Sequence, residues 1–429
     1  MDAIPLLFTV MLVLLFMGYP MMVPLITAAL VLVLVKFSFM DPSILIQQMI
    51  GGVKPAVLTA VPMFIFAADI MTRGHTANRL LDLVMSFVRH LRGGLPITTA
   101  LSCTLFGAVS GSTQATVVAM GGPLRPRLLE AGYKDTFAIA LIINSSDIAL
   151  LIPPSIGMII YGVVSGTSVG ELFIAGIGPG LLILVLFSLY SYIASYWQGI
   201  ERQPKADWAT RRQALRKALL PMGFPVIIIG GIYSGMFSPT EAAAMSVLYA
   251  VILEIFVFRA LRLAELPDIA LSTGLITAVV FILVAAGTAF SWTISFAQIP
   301  NALLGDHLVS LAQNPIMVLV TISVAYFIGC MFVDPIVVIL ILTPIFNPVI
   351  KMAGLDPVLV GTLVTLQAAI GSATPPFGCD IFTAMAIFRK PYLHVIRGTP
   401  PFILILLLAT ALVIFFPQIA LFLRDLAFH

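Results

Sequence analysis

The stretch Ala369–Phe382, AIGSATPPFGCDIF, places two consecutive prolines and two glycines inside a long apolar segment. Proline removes a backbone N–H donor and clashes with the preceding helical turn, so a regular helix cannot continue through this stretch. In hydrocarbon, the freed backbone groups have no water with which to form hydrogen bonds. The fold must therefore bury this break within protein or open it onto a cavity.

The composition indicates that the surrounding medium is a lipid bilayer. The chain has 429 residues, of which 60% are hydrophobic and 10% are charged, and its mean hydropathy is +1.11. Soluble domains carry about 25% charged residues. Apolar segments of about 20 residues, long enough to cross a bilayer, recur from end to end. We therefore expect an all-α polytopic membrane protein, with the first apolar segment retained as a span because it has no basic start or cleavage site.

The hydropathy pattern predicts about eleven membrane spans and two re-entrant helical hairpins. The hairpins are expected at 95–127 and 315–350, which are apolar but contain internal breaks. Residues 76–92 carry apolar and basic residues at helical spacing and predict an interfacial helix. Spans are expected near 4–18, 20–37, 54–72, 134–164, 171–197, 218–234, 240–259, 269–296, 357–388 and 399–424.

Lysine and arginine are concentrated in five short segments between these spans, and the longest is 199–217. Basic loops favour the cytoplasmic side of a membrane. With all five on that side, the first hairpin enters from the cytoplasm and the second enters from the opposite face. This arrangement predicts that the amino terminus is periplasmic.

A second broken segment, Ser146–Gly162 (SDIALLIPPSIGMIIYG), matches the first. A shift of 222 residues places Gly107 on Gly329, Pro126 on Pro348, Ala131-Gly132 on Ala353-Gly354 and Pro153-Pro154 on Pro375-Pro376. Since the predicted orientation starts the two halves from opposite faces, the repeat is inverted. Inverted repeats with paired broken helices are typical of secondary transporters, in which unwound backbone faces ions and substrate. The alternative is a pair of ordinary proline kinks.

Polar residues are concentrated at the hairpins and at the breaks, in VSGSTQAT (109–116), NSSD (144–147), GCMFVDP (329–335) and GSAT (371–374). The 222-residue shift aligns Asp334 with Ser112. Oxygen-rich clusters suit hard cations such as sodium. The alternative for any single serine is helix packing, because small hydroxyl residues are common where membrane helices meet.

Intramembrane carboxylates are costly, and Asp147, Asp334 and Asp380 lie near the breaks. We expect them to act in ion or substrate handling. Glu241, in GMFSPTEAAA, is instead expected to cap a helix. The chain has no HExxH, GxSxG or P-loop motif, and its three cysteines have no metal-binding spacing. We therefore expect coupling to an ion gradient, with sodium as the coupling ion and no other cofactor.

The motifs SGSTQAT, LIPPSIGMIIYG, GMFSPTEAAA, RGGLP and GSATPPFG together resemble the large membrane subunit of TRAP (tripartite ATP-independent periplasmic) transporters, in particular the dicarboxylate-type branch. This resemblance implies a sodium-driven elevator-type importer of a small organic anion in the bacterial inner membrane. It also implies two partners, a small four-helix membrane subunit and a soluble periplasmic binding protein that largely sets specificity. The implied domains are a scaffold (1–92 and 218–310), two transport repeats (93–198 and 311–429) and a cytoplasmic basic loop (199–217).

The resemblance also implies the positions of the ion and substrate contacts. The first sodium site corresponds to Ser110, Ser112, Ser146 and Pro153, and the second to Gly329, Gly371, Thr374 and Phe377. The residues expected to contact the substrate are Thr113, Gln114, Asn144, Asp147, Ser155, Asp334 and Ser372. NSSD departs from the more apolar, glycine-rich stretch that is usual in this family, and the departure affects the first ion site and the neighbouring substrate contacts.

Two other functions are compatible with the sequence. A stand-alone carrier of the divalent-anion or arsenite type would have similar repeats and would need no binding protein. An intramembrane enzyme could use Asp147 and Asp380 as an acid/base pair. Uptake by the isolated chain would favour the first alternative, and turnover of a membrane substrate would favour the second.

Overall fold

The computed structural model of the chain describes residues 3–300, 302 and 312–428. Across these residues the secondary structure is helical, and no strand is present. The helices of the first half are Ala3–Phe16, Met22–Lys36, Ser43–Val53, Ala60–Arg73, Thr76–Val88, Gly94–Ser110, Thr113–Glu130, Asp135–Ser146, Ile156–Ser165, Val169–Trp197 and Trp208–Ala218. Those of the second half are Gly223–Tyr233, Pro239–Val257, Leu266–Phe296, Pro315–Phe332, Pro335–Met352, Pro357–Ser372, Cys379–Phe388, Tyr392–Ile396, Pro400–Phe415 and Gln418–Phe428.

The helices confirm an all-α membrane protein. Among the described residues, six helices are long and apolar enough to cross a bilayer, and up to eight if each of two bent pairs is one span. Helices that stop at a break, such as Ile156–Ser165 and Cys379–Phe388, are too short to meet this criterion. The count of about eleven spans stays a prediction, because it treats each broken pair as one crossing.

Both predicted hairpins are present. The first hairpin consists of Gly94–Ser110 and Thr113–Glu130, and the second consists of Pro315–Phe332 and Pro335–Met352. Each hairpin turns within two residues. We call the residues around these turns, 110–114 and 333–336, the first tip and the second tip.

Both predicted breaks are present as well. The first broken helix ends its regular turns at Ser146, continues as a short 3₁₀ turn to Leu150 and resumes at Ile156. The second ends at Ser372 and resumes at Cys379. The bond within each proline pair is cis. The non-helical residues of the first break, Leu151–Ser155, are all buried, whereas the second break is only partly buried at Pro375 and Pro376 and is exposed at Phe377.

Local structure agrees with the 222-residue repeat. Ser112 and Asp334, which the shift aligns, are both N-caps of the second helix of their hairpin. Their side chains accept hydrogen bonds from the backbone N–H groups of Ala115 and Ile336, respectively. Gly132 and Gly354, also aligned, have positive φ values of 91° and 62° just after the hairpins, which glycine adopts without steric cost. The two halves therefore fold alike at matching positions.

A salt bridge holds the start of each broken helix. Asp135, the first residue of the first broken helix, is bound by Arg125 of the first hairpin at 2.7 Å. Asp356, the N-cap of the second, is bound by Arg424 of the last helix at 2.8 Å. A carboxylate at a helix N-terminus is favoured by the helix dipole, so these contacts fix where each broken helix begins.

Three features differ from the sequence expectation. Residues Ser43–Val53 form a helix where none was predicted. Part of the segment 199–217 is helical from Trp208, and the Thr210 hydroxyl that bonds to the N-cap Asp207 lowers the pKa of its carboxyl. The final span is bent by 55° between Phe415 and Gln418, because Pro417 cannot continue the helix and disfavours helical geometry at the residue before it.

The predicted interfacial helix extends over Thr76–Val88. The buried Glu254 side chain caps its N-terminus, accepting from the backbone N–H groups of His75 (2.9 Å) and Thr76 (3.0 Å). Glu241 forms a capping box with Ser238, which confirms its predicted role. The domain boundaries stay a prediction, and the segment between them at 303–311 lies outside the described residues.

Candidate functional site

A cavity of about 90 Å³ lies between the two tips and the two broken helices. Its walls combine the first tip, the second tip and residues next to both breaks. The lining residues are Gly111, Ser112, Thr113, Gln114, Leu150, Ile156, Gly157, Asp334, Pro335, Ile336, Ala368 and Cys379. The structure therefore brings both halves of the repeat to one small space, as paired broken helices predict.

A larger groove of about 820 Å³ lies among helices Ala60–Arg73, Pro239–Val257 and Leu266–Phe296. Its lining is apolar apart from the hydroxyls of Thr273 and Thr277. Specific small-molecule sites need several convergent polar groups. The smaller cavity meets this requirement and the larger groove does not, so we take the smaller cavity as the candidate site.

The first tip packs closely against the first break. Gly111 has φ +62°, and a Cβ at this position would lie 2.4 Å from the carbonyl oxygen of Pro154. The Ile156 N–H approaches the Gly111 carbonyl at 3.5 Å. Pro153, Pro154 and Ser155 are all buried. Only glycine allows this approach of backbone to backbone.

Of the hydroxyls predicted for the first sodium site, those of Ser110 and Ser112 lie together, but that of Ser146 does not join them. Ser110 is buried and lies 3.0 Å from the Thr116 hydroxyl, next to the Ser112 cap. Ser146 donates to the Ile142 carbonyl at 2.8 Å and faces Cys103, two helical turns before the first tip. The described hydrogen bonds do not join Ser146 to Ser110 or Ser112. The tip and Pro153 thus lie together, while Ser146 points to the neighbouring helix.

The residues predicted for the second sodium site lie together. A Cβ at Gly371 would lie 2.3 Å from the Cβ of Cys330, the residue that follows Gly329. The Phe377 N–H donates to the Met331 carbonyl at 3.1 Å, and the Thr374 hydroxyl donates to the Ile370 carbonyl at 2.6 Å. The second hairpin therefore contacts the break through backbone on both sides.

Glycine is also required just after the second proline pair. A Cβ at Gly378 would lie 2.4 Å from the Ser372 carbonyl oxygen and 2.8 Å from that of Thr374. The carbonyls of Ser372 and Thr374 thus both lie against Gly378, whose N–H donates to the Thr374 carbonyl at 3.2 Å. The Pro376 carbonyl accepts from the Tyr392 hydroxyl at 2.9 Å. Converging backbone carbonyls of this kind can coordinate a sodium ion.

Two fully buried carboxylates, Asp147 and Asp380, lie near one another, and Asp380 is joined to the cavity wall by the hydroxyl of the lining residue Thr113. We call them the acid pair. Asp380 accepts from the Thr113 hydroxyl and from the Ser372 hydroxyl, both at 2.8 Å. Neither oxygen of Asp147 has a hydrogen-bond partner among the described residues. The Ser372 hydroxyl also lies near Asp147, but its single proton is already directed to Asp380 and to the Ala369 carbonyl.

The other predicted substrate contacts divide into two groups. Thr113, Gln114 and Asp334 line the cavity, while Ser372 reaches it only through the acid pair. Ser155 is fully buried and caps helix Ile156–Ser165. Asn144 is buried, and its amide donates to the Ala140 carbonyl at 2.8 Å while its Oδ1 has no partner among the described residues.

The sequence does not identify Cys379 as a site residue and does not predict the contacts of Asp380. In the structure Asp380 connects the first tip to the second break through Thr113 and Ser372. Cys379 forms part of the cavity wall. The signal for both was their position directly after the proline pair, where a broken helix restarts.

A model of the family described as "Tripartite ATP-independent periplasmic transporter, DctM component" matches residues 8–419. The chain belongs to this family. It is 66% identical over 423 residues to the ectoine/5-hydroxyectoine TRAP transporter large permease protein of Ruegeria pomeroyi, with 98% of each chain covered. It is 66% identical over 417 residues to the ectoine TRAP transporter large permease protein of Halomonas elongata, with 97% of each covered.

The family assignment confirms the resemblance to TRAP large membrane subunits. It also confirms a transport subunit rather than an enzyme, because the relatives are named as permeases. It supports the inner membrane as the location of this multi-pass permease. The family therefore does not support the intramembrane enzyme that the sequence had left open for Asp147 and Asp380.

The fold of the permease is also similar to a solved transporter. The crystal structure of the YdaH transporter from Alcanivorax borkumensis aligns with a TM-score of 0.63 at 16% identity, covering 86% of each chain. At this identity the likeness concerns architecture alone.

Proposed function

We propose that this permease imports ectoine or 5-hydroxyectoine with sodium as the coupling ion. The observation that carries the substrate is the 66% identity, over nearly the whole chain, to two permeases named for ectoine. This proposal replaces the broader expectation of a small organic anion. Ectoine is a zwitterion, with one carboxylate and one cyclic amidinium group.

Sodium coupling is supported by the geometry of the second break. Carbonyls of Ser372 and Thr374 converge around Gly378, and Gly371 packs directly on the second hairpin at Cys330. Sodium is a hard cation that takes oxygen ligands, including backbone carbonyls. The backbone carbonyls and the Thr374 hydroxyl at the second break supply oxygen atoms of this kind.

The elevator mechanism is supported by the way both tips and both breaks enclose one cavity. Movement of these elements as a unit would carry the enclosed solute across the membrane while the remaining helices stay fixed. Alternating access by rigid-body movement around a fixed site is common in transporters with inverted repeats.

The partners follow from the tripartite family. We propose that a small four-helix membrane subunit and a periplasmic binding protein work with this permease. A solute that is delivered by the binding protein would enter the cavity when the two tips face the periplasm. The N-terminus is proposed to lie on the same side.

Uptake of labelled ectoine into proteoliposomes tests the proposal. The permease and its small subunit are reconstituted, and the binding protein is added outside. We expect uptake with an inward sodium gradient, a loss of uptake when potassium replaces sodium, and little uptake without the binding protein.

Three results would contradict this account. Uptake in sodium-free buffer driven by a proton gradient would exclude sodium coupling. Equal initial rates with and without the binding protein would instead support the stand-alone carrier. Uptake of succinate in place of ectoine would restore the dicarboxylate expectation.

A further inference from the structure

Among the described residues, the wall of the candidate cavity contains an acidic side chain but no basic one. Asp334 contributes a carboxylate to the lining, and the lining residue Thr113 bonds to Asp380 of the acid pair. None of the twelve lining residues is a lysine, arginine or histidine. An ionised group that loses its water needs an opposite charge or hydrogen-bond donors. The lining offers an anion no opposite charge, and its hydroxyl and amide donors lie at the first tip, so the second carboxylate of a dicarboxylate would face the uncompensated carboxylate of Asp334.

The acid pair also lacks hydrogen-bond donors. Its four carboxylate oxygens receive hydrogen bonds from two hydroxyls, those of Thr113 and Ser372. Ser372 divides its one proton between Asp380 and the Ala369 carbonyl. Both aspartates are 0% exposed, and Asp147 has no partner among the described residues. A carboxylate that is buried with so few donors keeps its charge only where a cation lies beside it, and otherwise takes up a proton.

A second unpartnered oxygen lies beside the acid pair. Asn144 precedes Asp147 by three residues, which places both side chains on one face of the helix. Its Oδ1 is an acceptor with no donor among the described residues, and Asn144 is 0% exposed. The side chains at this break therefore present acceptors in excess.

Thr113 connects the acid pair to the cavity. Its side chain donates to Asp380 at 2.8 Å, and the same residue lines the cavity. Cys379, the residue before Asp380, forms another part of the wall. A single residue, Thr113, thus connects the Asp380 carboxyl to the cavity.

We propose that Asp334 and the acid pair make the permease itself selective for solutes with a delocalised cationic group, such as an amidinium, over solutes that carry only carboxylates. This inference rests on the proposed function and specifies the solute class that the cavity accepts. Asp334 binds the cation directly. Asp147 and Asp380 are positioning residues. They act on the bound cation through their electrostatic potential, and Asp380 also acts through its hydrogen bond from Thr113.

The opposite end of a zwitterion fits the first tip. Helix Thr113–Glu130 begins there, and its first-turn N–H groups have no partners within the helix. The Ser112 side chain caps only the Ala115 N–H. The exposed Gln114 amide lies at the same point of the cavity wall. A carboxylate at this helix end and an amidinium at Asp334 would lie along one axis between the two tips.

The cavity volume is suited to such a solute. A cavity needs roughly 10–15 Å³ of this measure for each water molecule. The cavity of about 90 Å³ therefore has space for roughly six to nine waters. A compact solute with a single small ring, such as ectoine, is of this order of size.

Competition binding to the purified complex of permease and small subunit tests the proposal. The binding protein is left out, so the selectivity measured belongs to the membrane subunits. Labelled ectoine is competed with three probes: the cyclic amidine that lacks the ectoine carboxylate, cyclohexanecarboxylate, and succinate. We expect the amidine to compete and both carboxylates to fail.

Variants then assign the selectivity to residues. Asp334→Asn should weaken ectoine binding by about tenfold or more, because a charged partner is lost. Asp147→Asn and Asp380→Asn keep the side-chain shape. In these variants cyclohexanecarboxylate should displace labelled ectoine more effectively, relative to the amidine, than it does in the wild type. Asp69→Asn is the matched control. It removes an aspartate that Thr273 bonds at 2.9 Å, away from the cavity, and should leave the ratio of the two competitors' potencies unchanged.

The wild-type competition is decisive even where a variant fails to fold. Equal or stronger competition by succinate would overturn the proposal, as would an unchanged ratio in all three aspartate variants. These outcomes are distinct from failure of the proposed function, which the uptake of labelled ectoine by the complete wild-type system measures.

Discussion

Glu254 is the contact through which the interfacial helix is expected to be held in place. Its carboxylate is fully buried and accepts three hydrogen bonds, from the backbone N–H groups of His75 and Thr76 and from the Thr76 hydroxyl at 2.5 Å. Glu254→Gln keeps the size of the side chain but replaces one acceptor oxygen by a donor. At least one of these bonds must then be lost.

The cost follows from the kind of bond. A hydrogen bond to a charged group contributes roughly 1.5–3 kcal/mol, and a buried donor left without a partner costs a similar amount. One bond lost and two weakened give a destabilisation of roughly 2–5 kcal/mol. For a chain of this length, the entropy of unfolding per residue turns this into a fall of roughly 2–5 °C in the melting temperature.

A second substitution disturbs the same contact independently. A Cβ at Gly74 would lie 2.2 Å from the carboxyl carbon of Glu254, so Gly74→Ala should displace that side chain. Because both changes remove one interaction, the double variant should lose less stability than the sum of the two single variants. The assay is thermal unfolding of the detergent-purified protein, with Glu241→Gln as the control, since that exposed residue caps another helix.

Additive losses for Gly74→Ala and Glu254→Gln would refute this reasoning. An effect of Glu254→Gln no larger than that of Glu241→Gln would refute it as well. Either result would mean that the carboxylate is not what fixes the start of the interfacial helix.

Two further predictions concern the breaks. Thr374→Val should raise the sodium concentration for half-maximal ectoine uptake, because it removes the hydroxyl that bonds to the Ile370 carbonyl; an unchanged sodium titration would show that only backbone matters there. Gly107→Ala should lower thermal stability more than Gly329→Ala, since its Cβ would lie 2.6 Å from the Ala149 backbone, whereas that of Gly329 meets the Val338 side chain; equal losses in a melting experiment would contradict this.

The positions of the hairpins and breaks could be predicted from the sequence because proline and glycine act locally. Pro375 interrupts its helix whatever surrounds it, and the 222-residue match located the second break without any structure. The same 222-residue shift pairs Ser112 with Asp334, and in the structure both residues are N-caps. Capping by Glu241 followed from the spacing of SPTE.

The partners of individual side chains could not be predicted in the same way. Ser146 faces Cys103 instead of the first tip, because helical rotation within the broken helix decides its direction. Asp147 and Asp380 are 233 positions apart, and only the packing of both breaks brings them together. The helix Ser43–Val53 was missed because it is shorter than a membrane span.

The substrate lay beyond the sequence for a different reason. The repeat and its breaks are compatible with many small solutes, so they indicate transport without naming what is transported. The ectoine proposed here comes from the names of two relatives, and the Asp334 carboxylate in the cavity wall is compatible with a solute that carries a cationic group.

A sodium titration of ectoine uptake by the Pro375→Ala, Pro376→Ala double variant tests the central claim most directly. Alanine lets the helix propagate through the break, so the carbonyls that converge around Gly378 would pair within the helix instead of facing an ion. Pro344→Ala, within the second hairpin, serves as the control and should keep the wild-type titration. We predict that the double variant reaches the membrane in normal amounts and shows no sodium-stimulated uptake. A titration like that of the wild type would show that the breaks are only kinks, and would contradict the assignment of the ion site.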